Sequence, residues 1–114
     1  MINQKQLDNR MAQERRVVRH LIRSAKKAGY AVTGVYDGGD DRVQCRSEAA
    51  AMDAVFAVDE SRIYFKHPDQ PKGHCAVIIL GNSGPECIAD CSEGELWDDV
   101  MQEVFDYCDK VECA

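Results

Sequence analysis

The apolar positions Leu7, Met11, Val18, Leu21, Ile22 and Ala25 recur at mostly three- and four-residue intervals, the spacing that lines one face of an α-helix. They predict a long amphipathic helix from about Asn3 to Ala28. Gly29 supplies its stop, because glycine adopts left-handed backbone after a helix without steric cost. The pattern then changes to β-branched and aromatic residues. Tyr30 to Tyr36 reads as a strand, Asp37-Gly38-Gly39-Asp40-Asp41 as a turn, and Arg42 to Cys45 as the returning strand of a hairpin. Ser47 can cap a short helix over roughly Glu48–Ala57, where Ala49, Ala50, Met52, Val55 and Phe56 leave a narrow polar side at Asp53. That helix is expected to be buried.

Three further strands are expected at about Arg62–Lys66, Cys75–Leu80 and Glu86–Cys91, separated by segments rich in proline and glycine and forming an antiparallel meander. The middle one is apolar on both faces and should be central, whereas Arg62–Lys66 should show one side to solvent. Ser92-Glu93-Gly94-Glu95 fits a capping box that starts a last helix at Ser92. This helix runs to about Val111 with Trp97, Val100, Met101, Val104, Cys108 and Val111 as its apolar stripe. The expected fold is α+β, in the order α-β-β-α-β-β-β-α: a mainly antiparallel sheet of about five strands with the two long amphipathic helices packed on it, as a single domain over residues 1–114.

Composition narrows the class. With 45% hydrophobic and 30% charged residues among 114, the chain has globular proportions, which argues against a disordered or fibrous protein and allows a core without metal or disulfide. The net charge of −6 conceals a division. Residues 1–29 hold eight basic and two acidic residues, a balance of +6, and residues 30–114 hold six basic and eighteen acidic, a balance of −12. Such asymmetry points to a charged partner, or to compensation within one molecule or across a dimer. The basic start lacks an apolar signal-peptide core, so the six cysteines are expected to be reduced thiols in a cytosol. The longest strongly apolar run, Ala76–Leu80, is too short to cross a bilayer.

Five groups of residues bear on chemistry. His67, His74, Cys75, Cys87 and Cys91 contain metal-ligand types, but Cys87 and Cys91 on a regular strand would lie about 13 Å apart, too far to share an ion; no metal or cofactor is expected. Cys75 as a nucleophile would need a base from His67, His74 or His20, and His74, adjacent in sequence, points to the opposite face of a strand. The loops at Gly38-Gly39 and Gly81-Asn82-Ser83-Gly84 lack the lysine and following helix of a phosphate-binding loop and read as turns. Arg15, Arg16, Arg19, Arg23, Lys26 and Lys27 cluster opposite the apolar stripe of the first helix, as a cationic face for an acidic protein or nucleic acid. No helix-turn-helix accompanies it and the acidic remainder repels phosphate, so direct nucleic-acid binding is disfavoured. Glu95, Asp98, Asp99, Glu103, Asp106 and Asp109 form an acidic face on the last helix whose charge spacing is comparable to that of a DNA strand.

The run Asp37–Phe65, with Asp-Gly-Gly-Asp-Asp and Met52-Asp53-Ala54-Val55-Phe56-Ala57-Val58-Asp59-Glu60-Ser61, together with Leu80-Gly81-Asn82 and Ile88-Ala89-Asp90, resembles small accessory proteins of bacterial phages and mobile elements. The resemblance implies a bacterial cytoplasmic setting and no particular activity. The reading that follows is a non-enzymatic accessory or adaptor protein acting through protein–protein contacts, without a membrane. One alternative is an inhibitor of a DNA-acting bacterial system with the acidic helix as nucleic-acid mimic; another is a zinc-binding or thiol enzyme. A homodimer would set the basic helix of one copy on the acidic helix of the other and weaken with salt.

Overall fold

The computed structural model describes residues 4–36, 44–45, 47–70, 72–81 and 84–113. The helical spacing at the start of the chain produces α1, Gln4–Lys27, which ends where Gly29 takes a φ of 100°. There follow β1 (Ala31–Tyr36), α2 (Glu48–Val55), β2 (Glu60–Lys66), β3 (His74–Ile79), a single 3-10 turn at Gly84–Glu86, β4 (Ile88–Cys91) and α3 (Glu95–Cys113). The strands form one antiparallel sheet in the order β1-β2-β3-β4.

The α+β class stands, with four strands rather than about five among the described residues. Among the described residues β1 pairs with β2, Val35 opposite Ile63 and Tyr36 opposite Arg62. Gln44 and Cys45 lie outside the sheet, and the expected turn at Asp37–Asp41, with Arg42 and Val43, lies outside the described residues. Pairing β1 with β2 across α2 satisfies the β1 backbone in a ladder the local hairpin pattern does not reveal. β2 and β3 are both internal strands.

Alternation sets the core. Ser61, Ile63 and Phe65 of β2 and His74, Ala76 and Ile78 of β3 are buried on one face of the sheet. Against them pack Val17, Val18, Leu21, Ile22 and Ala25 of α1, Ala51, Met52 and Val55 of α2, and Trp97, Val100, Met101, Val104 and Cys108 of α3. Met11, expected on the apolar stripe, is 43% exposed, whereas Glu14 is buried in its place. α2 is half-exposed rather than buried: Ala49 and Ala50 face outward, while Ser47 caps it by accepting a hydrogen bond from the Ala50 N–H at 3.1 Å. α3 starts three residues later than Ser92. The Ser92 hydroxyl is engaged by the Cys75 N–H at 2.9 Å, and the Asp98 carboxylate accepts from the Gly94 N–H at 3.4 Å instead.

Candidate functional site

α1 and α3 lie side by side. At their seam the His20 and Tyr107 rings stack with centroids 4.0 Å apart and planes 5° from parallel. Partial burial pushes the His20 pKa down, Glu103 opposes this, and Lys110 and Lys27 add to it, so the imidazole is held toward its neutral form. A shallow groove of about 250 Å³ lies on the α1 side of this stack, lined by Arg16, Arg19 and Arg23; another of about 410 Å³ lies on the α3 side, lined by Asp99, Glu103, Asp106 and Lys110. The seam therefore separates a basic row from an acidic row on one continuous surface.

Helical geometry gives each row its register. At 100° per residue, Arg15, Arg16, Arg19, Arg23, Lys26 and Lys27 occupy one arc of α1 opposite Val17, Val18, Leu21 and Ala25. All six are exposed, as are Glu95, Asp98, Asp99, Glu103, Asp106 and Asp109 on α3. Among the described residues no ion pair joins the two rows. The basic row instead engages α2 on its other flank. Arg23 pairs with Glu48 at 2.7 Å, which lowers the Glu48 pKa through that hydrogen bond, and the Arg15 guanidinium sits 4.6 Å above the centre of the Phe56 ring. Arg16, Arg19, Lys26 and Lys27 keep their charge toward solvent, as do the acidic residues of α3.

The remaining chemical candidates are dispersed. Tyr30 is a hub at one end of the sheet, in edge contact with His67, His74 and Trp97 at 5.1, 5.6 and 5.1 Å between ring centroids. His74 also stacks on Trp97 at 5.4 Å. Two glycines make room for these imidazoles: a Cβ at Gly94 would lie 2.6 Å from His74 Nε2, and one at Gly29 2.7 Å from His67 Nε2. Tyr30, His74 and Trp97 are buried, and Tyr30 Oη, His74 Nδ1 and Trp97 Nε1 have no hydrogen-bond partner among the described residues. This is closed aromatic packing carrying polar atoms. His67 and His74, grouped by residue type with Cys75, Cys87 and Cys91 as a metal candidate, are packed instead against Tyr30, and His74 also against Trp97.

Gly81 and Gly84, before β4, bind a side chain of the protein itself. The Glu14 carboxylate accepts from the Gly81 N–H at 3.3 Å and from the Gly84 N–H at 3.2 Å. The Gly81 and Gly84 amides are thus taken up by α1, which ties both glycines to the first helix. Gly38-Gly39 lies outside the described residues.

Cys75 is not brought to an imidazole: its thiol accepts from the Ser92 hydroxyl at 3.4 Å on the open face of the sheet. His74 is buried on the other face, His67 Nδ1 accepts from the Asp69 N–H at 3.0 Å, and His20 is at the helix seam. Burial pushes the Cys87 thiol up to about 12 and Cys108 to about 11, and raises Cys45 and Cys91. These are free thiols, and a raised pKa makes them poor nucleophiles. No group of three histidine, cysteine or carboxylate side chains among the described residues converges on a common point suited to a metal, and no described helix is long and apolar enough to cross a membrane.

No protein-family model, curated protein or solved structure matches this chain.

Proposed function

We propose that the protein is a non-enzymatic accessory or adaptor that docks a protein partner on the surface formed by α1 and α3. The observation that supports this most directly is the adjacency of two exposed rows of opposite charge that form no ion pair with each other. Helices in contact stand about 8–10 Å apart, so the complementary partner carries an acidic and a basic strip at that spacing. Adjacent strips of opposite sign fix orientation as well as attraction: a partner turned end over end across the seam meets like charges. The His20–Tyr107 stack supplies a flat, half-buried centre between the strips.

The nucleic-acid mimic is less well supported, because Arg16, Arg19 and Arg23 lie along the acidic row and would be repelled by a basic DNA-binding groove. A thiol or zinc enzyme has less support still, given the separated histidines.

Affinity capture from a bacterial lysate tests the reading, with wild type compared against Arg16→Glu/Arg19→Glu and Asp99→Lys/Asp106→Lys, each checked for fold by circular dichroism. One protein retained by wild type and lost from both variants is the expected result. Equal retention by both variants, or no retained protein together with turnover in a substrate screen, contradicts it.

A further inference from the structure

On the sheet face opposite the helices Arg62, Ile79 and Asp90 are exposed and Tyr64, Cys75 and Val77 are half-buried. Register sets Tyr36, Arg62, Val77 and Asp90 in one row across all four strands and Tyr64 beside Cys75 in the next, with Glu60 at one end of β2 opposite Ile79 and Lys66 at the other opposite Ala31. Ile79 is 40% and Tyr36 36% exposed, two of the four exposed large apolar side chains among the described residues. Tyr64 stands between two shallow hollows of about 450 and 480 Å³, one lined by Tyr36, Glu60 and Arg62, the other by Thr33 and Lys66.

We propose that this face binds a second copy of the chain, sheet against sheet, about a two-fold axis lying between the sheets and perpendicular to the strands. Outward residues along β2 read Glu60, Arg62, Tyr64, Lys66. Reversing the strand and laying it on itself puts Glu60 opposite Lys66 of the second copy, twice by symmetry, and Arg62 beneath its Tyr64, also twice. A strand that is its own complement when reversed meets the requirement of an isologous contact, and Arg over an aromatic ring is a favourable pairing. The Lys66 ammonium also donates to the Gln70 carbonyl, which holds it at the strand end. Val77, Ile79 and Tyr36 add apolar area beside these pairs.

Carboxylates on the same face, at Glu60 and Asp90, oppose a phosphate backbone and favour a second copy over single-stranded nucleic acid stacked on the tyrosines. Four strands at about 4.8 Å and six residues at about 3.3 Å give a face roughly 20 Å on a side. That is a small interface, so the dimer is reversible and concentration-dependent.

Sedimentation equilibrium over a concentration series tests this with wild type, Glu60→Lys, Lys66→Glu, the double exchange Glu60→Lys/Lys66→Glu, and Ile79→Asp, the fold of each verified by circular dichroism. Wild type should dimerise, each single variant should weaken the dimer at least about 10-fold, and the double exchange should restore it. A monomer throughout the series, a dimer indifferent to these changes, or a double variant no better than the singles overturns the proposal. Competition between dimerisation and a saturably bound oligouridine also overturns it, in favour of nucleic acid. Arg16→Glu/Arg19→Glu should leave the dimer intact, so failure here is separable from failure of the helical docking surface.

Discussion

The thiol of Cys87 is fully buried and pushed up to about 12, against 9.0 for an ordinary cysteine. The unfolded chain therefore ionises this thiol first as pH rises, and the stability it contributes in the protonated form declines above pH 9.0. In native alkylation by iodoacetamide, the half-buried Cys75 should react well before Cys87, Cys45 and Cys108, and peptide mapping against time reads the order; early labelling of Cys87 would contradict its burial. His20 has the opposite sign. Its lowered folded pKa means that the unfolded chain binds the proton first as pH falls, so its contribution is complete above the ordinary value of 6.5 and is lost as pH falls toward the folded value. Denaturant midpoints across this interval should decline with acidification, and His20→Gln should remove that part of the slope; an unchanged slope would show that the His20–Tyr107 stack does not carry it.

Glu14 connects two elements. Its carboxylate binds the Gly81 and Gly84 amides, so Glu14→Ala leaves donors unpaired at the β3–β4 connection, Gly84 being buried. The expected cost is about 1–3 kcal/mol, with faster amide exchange at Gly84 and little change in β1; uniform exchange would mean that Glu14 acts on global stability alone. Elements were legible in the sequence where periodicity is local. The α3 stripe from Trp97 to Val111 is buried at every position expected, and the Ser47 cap is present. Where a residue's partner is distant, the sequence misled. The pairing of β1 with β2, more than twenty residues later, has no signal in the local pattern of Tyr30–Tyr36. Ser92 has a capping pattern, but its hydroxyl serves the Cys75 amide on the neighbouring strand. Glu14 occupies an apolar position of α1, and the Gly81 and Gly84 amides, distant in sequence, are among the donors that make a buried carboxylate tolerable.

At the level of the whole molecule, the charge division between the two ends of the chain becomes a division across a single seam. The sequence shows each stripe, since exposure on a helix follows from 3.6-residue spacing, but not their adjacency, which depends on α1 and α3 packing on the same face of the sheet. The proposed docking surface rests on that adjacency, and the proposed self-association uses the sheet face opposite it. Both can operate in one assembly. The charged rows are solvent-exposed, so their contribution is screened by salt over about 8–10 Å. The most direct measurement is a titration of the isolated partner against wild type and Asp99→Lys/Asp106→Lys over a range of ionic strength. Wild-type affinity should fall steeply with salt, and the variant should bind weakly with a flattened salt response. Equal affinities and equal salt responses for the two proteins would contradict it.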